Sequence, residues 1–239
     1  MAGRTADMLG GARRSIPVIV AVAPFGLLYG ALAVHGGLTI FQTVLMSVTI
    51  FAGASQLVGI ELFGQTIAPW VIVLSIFAVN FRHVLYSAAL GRRIASYSSL
   101  QKAIAFFFLT DPQYAEAEQA AEGGRAVSFA WYMGLAMPIY AFWIAEAAIG
   151  ALFGGLIRDP HALGIDFLLP IYFLGLVMSF RKRPNWLPVV AASAAGSILA
   201  FRLVGSPWHV SIGALAGIAV GCLMGGGSAA ALAVEGERV

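Results

Sequence analysis

Phe77-Ala78-Val79-Asn80-Phe81-Arg82-His83-Val84-Leu85-Tyr86 lies late in an apolar segment that runs from Pro69 to Leu90. The stretch sets an amide, a guanidinium, an imidazole and a phenol among residues that otherwise read as membrane helix. On a helix, Arg82 and Tyr86 are i,i+4 neighbours on one face, and Asn80 and His83 are i,i+3 neighbours. Ionisable groups are costly inside a bilayer and by default mark a functional site. Snorkelling of Arg82 and His83 to the headgroups is the competing explanation. Against it, Arg82 lies more than two turns inside the double arginine Arg92-Arg93, which is deep for such a reach.

Working outward, the composition agrees with a bilayer setting. Of 239 residues 60% are hydrophobic and 10% charged, with a mean hydropathy of +0.87, which describes a polytopic membrane protein and excludes an ordinary soluble domain. From Ser15 to Ile60 there is no Asp, Glu, Lys or Arg, a length sufficient for two spans of about 20 residues each. The net charge of +3 comes from loop Arg and Lys, which suits the positive-inside rule and gives no nucleic-acid footprint. Cys222 is the single cysteine, so an intrachain disulfide or a thiolate metal cluster cannot form. We expect one membrane transporter domain over residues 1–225 and a flexible, Gly/Ala-rich tail over 226–239.

Arg13-Arg14 followed by an apolar run from Ile16 has the outline of a signal peptide, but the run is long and another apolar segment follows, so it reads as a retained first span. Gly26 and Gly30 within it form a G-x-x-x-G pair that permits close helix contact. The next segment, Ile40 to Phe63, is interrupted by Phe51-Ala52-Gly53-Ala54-Ser55-Gln56, either a helix break or tight packing at small residues. Past the basic loop Gly91 to Lys102, the apolar piece Ala103 to Leu109 is too short to cross and runs into Thr110-Asp111-Pro112. Asp111 there is either the tip of a re-entrant half-helix or the N-cap of the helix that Pro112 opens. Glu116, Glu118 and Glu122 read as solvated or interfacial turns. Val127 to Phe153 carries Glu146 in an otherwise apolar run; Asp166 to Phe180 ends on Arg181-Lys182-Arg183; Trp186 to Val204 and Trp208 to Met224 close the chain.

Charge sets the orientation. With Arg4, Arg13 and Arg14 inside and every apolar segment counted as a crossing, the loop with Arg92, Arg93 and Lys102 falls outside, against the rule. If Ile40 to Phe63 enters, breaks and returns, the conflict disappears. The fold class is therefore an all-α polytopic integral membrane protein with about six to eight transmembrane segments and broken or re-entrant helices near 40–63 and 101–121.

Pro24-Phe25-Gly26, Phe51-Ala52-Gly53-Ala54-Ser55-Gln56, Asn80-x-Arg82-His83-x-x-Tyr86 and Phe107-Phe108-Leu109-Thr110-Asp111 occur in this order over most of the chain. Together they resemble the AzlC family of branched-chain amino-acid exporters (the LIV-E class), including its YgaZ-type members. The resemblance implies an inner-membrane permease subunit exporting leucine, isoleucine, valine or similar hydrophobic amino acids, partnered by a small membrane protein of the AzlD type. Pro112-Gln113 departs from the pattern, since the family often has an acidic or small residue after the aspartate.

The residues themselves point to a secondary transporter coupled to an ion gradient, whose site sits at broken helices near the midplane. Gly53, Ala54, Ser55, Gln56, Asn80 and Tyr86 are the candidate substrate-binding residues; Arg82, His83, Asp111 and Glu146 are the candidate coupling or electrostatic ones. Arg82 is expected to pair with Asp111, Glu146 being the other deep acid, and His83 to supply any pH response because its ordinary pKa lies near the operating range. No phosphate-binding G-x-x-x-x-G-K-[ST] occurs, and neither a cofactor nor a metal is expected. A membrane-embedded enzyme using His83 and Asp111 as base and acid is the alternative, though the chain lacks a metal-spaced His pair and a nucleophile elbow. A scaffold whose partner transports is the third reading, and oligomers remain open.

Overall fold

The computed structural model describes residues 2–63, 68–154, 174–175, 177–178, 180–205 and 208–236. Among the described residues there is no strand: the elements are α1 (Ala2–His35), α2 (Ile40–Thr49), α3 (Gly53–Phe63), α4 (Pro69–Arg93), α5 (Ser99–Phe107), α6 (Asp111–Glu122), α7 (Phe129–Phe153), α8 (Trp186–Leu203) and α9 (Trp208–Gly236). Helix is what a bilayer demands, because lipid offers no partner to a backbone N–H or C=O. Stretches within α1, α4, α7 and α8 are long and apolar enough to cross. The span expected from Asp166 to Phe180 lies almost wholly outside the described residues. The chain divides into two compact units, one of Met1–Ile72 with His83–Leu176 and one of Val73–Arg82 with Val177–Val239.

In the first unit α1 lies directly on α7, backbone against backbone. A β-carbon built on Gly11 or Gly30 of α1 would fall on the carbonyl oxygens of Trp131 and Ala147, and one on Gly134 or Gly150 of α7 would fall on those of Met8 and Leu27. The contacts pair low numbers with low and high with high, so the two helices run parallel. Gly26 belongs to the same seam: its β-carbon would lie 2.6 Å from Glu146 Cβ. The G-x-x-x-G pair therefore does what such spacing permits, bringing two helices to van der Waals contact without side chains between them. Pro17 and Pro24 sit inside α1 without ending it.

The two segments read as broken or re-entrant are both. The α2 helix opens on a capping box, Thr39 with Gln42, and ends at Thr49; residues 50–52 are not helical, and α3 starts at Gly53. Gln56 Nε2 reaches back to Ser47 Oγ at 3.0 Å. A β-carbon on Gly59 would sit 3.3 Å from the Met46 methyl, and one on Gly36 3.0 Å from Ile60. In a continuous helix Ser47 and Gln56 would stand about 13 Å apart along the axis. The chain has turned back, and α3 ends beside the end of α1 where α2 began.

The second hairpin enters from the opposite end. The α5 helix opens on another capping box, Ser98 with Gln101, and stops at Phe107; α6 begins at Asp111. Tyr86 meets Asp111, and seven residues on in each helix Arg93 meets Glu118, so α6 runs beside and parallel to the end of α4, back toward the side it came from. That side also gathers Arg125 with Asp7 and Arg14 with Glu116. Both hairpins thus turn back, as the re-entrant reading expects of residues 40–63 and 101–121.

Two readings of single residues change. Asp111 is the first residue of α6 and Thr110 occupies the N-cap position, so Asp111 is not the cap. Glu118, read as solvated or interfacial, is buried and accepts from Arg93 Nε and Nη2 at 3.3 and 3.2 Å. Glu116 is partly buried; burial pushes its carboxyl up from the usual range, opposed by Arg14 at 3.7 Å.

In the second unit α8 and α9 form an antiparallel pair turned by Gly205, whose φ of +83° suits a residue without a β-carbon. Small residues again set the contact: a β-carbon on Gly213 would lie 2.7 Å from Ser197 Cβ, and one on Gly196 2.7 Å from Ala216 Cβ. Leu203 at 75% and Leu223 at 81% exposure are suited to lipid. The α9 helix continues to Gly236.

Gly150→Leu is expected to lower the thermal unfolding temperature of the detergent-solubilised protein, because overpacking of this kind costs at least about 1–3 kcal/mol. Gly3→Leu, at a position with no atom within 4 Å of an added β-carbon, is the control and should leave the temperature unchanged. Equal unfolding temperatures for the two would contradict the α1–α7 seam.

Candidate functional site

The tips of the two hairpins meet. Phe51, in the three-residue break between α2 and α3, has its ring centroid 6.4 Å from that of Phe108, the first residue past α5. Both rings stand edge-on to Tyr140, at 5.1 and 5.2 Å. Tyr140 is the twelfth residue of the 25 in α7, half-way along the crossing. Its hydroxyl donates to the carbonyl of Val48 at 2.8 Å, one of the acceptors that the end of α2 leaves without a helical partner.

On one side of this junction lies a buried polar network. The first turn of α3 is Gly53-Ala54-Ser55-Gln56, and Ser55 and Gln56 are buried. Gln56 is held at both ends of its amide: Nε2 donates to Ser47, and Oε1 accepts from Trp143 Nε1 at 3.1 Å. Trp143 stacks on Tyr29 at 6.1 Å, and the Tyr29 hydroxyl donates to the Thr43 carbonyl at 3.0 Å. A β-carbon on Gly53 would come within 2.8 Å of the Trp143 ring, so glycine is what lets the half-helix start this close. One turn along α7 from Trp143, Glu146 is buried against Gly26, and its Oε2 has no hydrogen-bond partner among the described residues. A buried acceptor left unpaired is uncommon and calls for an explanation.

On the other side lies an aromatic and acidic cluster. Tyr86 donates to Asp111 Oδ1 at 3.0 Å, stacks on Tyr114 at 4.3 Å and meets His83 edge-on at 5.7 Å. The Thr110 hydroxyl donates to Gln113 Oε1 across the start of α6, while the buried Gln113 Nε2 has no partner among the described residues.

The structure therefore sets the turn Gly53-Ala54-Ser55-Gln56 against Trp143, with Glu146 a turn along α7 against Gly26, and brings His83, Tyr86 and Asp111 together. Asn80 and Arg82 fall in the stretch of α4 that belongs to the second unit. Sequence reasoning passed over Tyr29, Phe51 as a contact residue, Phe108, Tyr140 and Trp143, since an aromatic residue in an apolar helix carries no mark of its partner. Gln113 was legible in principle, being an amide one residue past the proline that opens α6.

Trp143→Phe replaces the indole by a smaller ring and removes the N–H; leaving Gln56 Oε1 buried without that donor alone costs about 1–3 kcal/mol. A lowered unfolding temperature relative to Trp70→Phe, at a residue 67% exposed, is the expected result. Equal temperatures would show that the network does not hold the break.

The AzlC protein family matches residues 17–157, a stretch that takes in both hairpins, α7 and the part of α1 that carries Gly26 and Gly30. Over 224 residues the chain is 30% identical to the inner membrane protein YgaZ of Escherichia coli (strain K12), covering 92% of this chain and 89% of that one. It is 31% identical over 216 residues to an uncharacterized membrane protein of Archaeoglobus fulgidus, covering 89% and 91%. To the branched-chain amino acid transport protein AzlC of Bacillus subtilis (strain 168) it is 24% identical over 190 residues, covering 77% and 74%. No solved structure matches it. With a family match over more than half its length and curated relatives aligned nearly end to end, this multi-pass membrane protein belongs to the AzlC family.

Proposed function

We propose that the chain is an inner-membrane permease subunit that exports branched-chain or similar hydrophobic amino acids as a secondary transporter. The observation that carries the reading is the pair of re-entrant hairpins whose broken tips meet half-way along α7. Irregular backbone at that depth is tolerated where protein or a solute pathway covers it, and broken helices are where transporters bind. The printed name of the Bacillus subtilis relative, a branched-chain amino acid transport protein, supports the solute class.

An α-amino acid presents one anion, one cation and one side chain. The N–H groups opening α3 at Gly53, Ala54 and Ser55, at the positive end of the helix dipole, suit the carboxylate. Asp111, held by Tyr86, suits the ammonium. An open groove lined by Leu38, Leu45, Met46, Thr49, Ile50 and Phe63 reaches the first break from the side on which α1 ends. His83 beside Tyr86 is the group we assign to the pH response, and a small membrane protein of the AzlD type is the expected partner. Chemistry on the solute is not part of this reading.

Labelled leucine loaded into proteoliposomes, with and without the co-encoded small membrane protein, tests it. The parent protein should release leucine. Asp111→Asn should raise KM about tenfold or more, the loss of a charge-assisted contact of about 1.5–3 kcal/mol. No release from the parent under either condition, or an Asp111→Asn variant with parent kinetics, would overturn the assignment.

A further inference from the structure

Set side by side, two stretches of the chain repeat one plan. Thr39 and Ser98 open the first with capping boxes that place Gln42 and Gln101 at the third helical position, 59 positions apart in both cases. A helix of 10 residues follows in one and of 9 in the other. Each is broken over three residues, 50–52 and 108–110. A second half-helix of 11 or 12 residues comes next, and then a crossing of 25 residues in each case, α4 and α7. One cross-copy hydrogen bond is also matched. The crossing of the first, α4, bonds the half-helix of the second through Tyr86 and Asp111; the crossing of the second, α7, bonds the half-helix of the first through Trp143 and Gln56. Each hairpin returns to the side it entered from, and each is followed by one crossing, so the second copy necessarily starts on the opposite side from the first.

We infer that residues 39–93 and 98–153 are two copies of one unit set in the membrane in opposite senses, and that the solute's apolar side chain is read where their tips meet, against Phe51, Phe108 and Tyr140. The subsite rests on the transport reading above; the duplication does not. Three aromatic rings within 6.4 Å of one another at the tips form a surface contributed by both copies and by the middle of a crossing. It suits a branched aliphatic side chain and offers a smaller one little contact. A site shared by two oppositely set copies can be served alternately from either face, which a secondary transporter requires.

The test uses the full chain in a Cys222→Ser background. Ile40→Cys and Ser99→Cys occupy equivalent, exposed first positions of α2 and α5. A membrane-impermeant thiol reagent, applied to sealed right-side-out and inside-out vesicles, should label each variant from one face only, and from opposite faces. Labelling of both from the same face overturns the duplication, whether or not the protein transports. In proteoliposomes Phe108→Ala, with Phe108→Leu in reserve should the first fail to insert, should lower the preference for leucine over alanine by about tenfold or more, as the loss of a few methylene-sized contacts does. An unchanged preference in a variant that still transports overturns the subsite. A parent chain that moves no amino acid, with the two cysteines on opposite faces, overturns the transport reading and the subsite together and leaves the duplication standing.

Discussion

Two helices broken in the middle of a bilayer leave backbone donors and acceptors that lipid cannot satisfy. Most of what surrounds residues 50–52 and 108–110 serves that need. Tyr140 gives its hydroxyl to Val48 and Tyr132 to Ala105, each a carbonyl in the last turn of the first half of a hairpin. The α1–α7 seam makes this cover possible. Because glycines let the two backbones touch, Tyr29 and Trp143 can stack over the first break from two helices at once.

A site built this way is rigid where it must be and charged where solute can use it. Gln56 is fixed at both ends of its amide, so the start of α3 is held in place with its N–H groups clear of the side chain. Asp111 is oriented by Tyr86, which is in turn stacked on Tyr114. The ion pairs Arg93–Glu118, Arg14–Glu116 and Arg125–Asp7 lie together at the end where α4 finishes and α7 starts. An exposed pair such as Arg125–Asp7 contributes little to stability singly. Grouped, the three tie α6 and the start of α7 to α1 and α4.

Much of this was legible in the chain. Small residues in mid-segment offered the first break beside tight packing, Pro112 after a short apolar run offered the second beside a plain cap, and the placement of Arg92, Arg93 and Lys102 favoured a first hairpin that turns back. What escaped was pairing. Glu118 read as solvated or interfacial because its partner Arg93 is 25 positions away, and the Tyr86 phenol that reaches Asp111 carries no charge to announce it. Aromatic contacts at the tips could not be read at all: Phe51, Phe108 and Tyr140 look like any lipid-facing residues until the hairpins are folded. The repeat was hidden for a related reason, being carried by helix lengths and caps and not by matching side chains.

The central claim is that an amino acid occupies the broken region at the start of α3. Ala54 lies in that first turn and is only partly buried. In a Cys222→Ser background, the alkylation rate of Ala54→Cys should fall several-fold when saturating leucine is present, and stay the same with an equal concentration of a charged amino acid such as glutamate. A rate that leucine leaves unchanged, in protein that still transports leucine, would place the solute elsewhere and contradict the account.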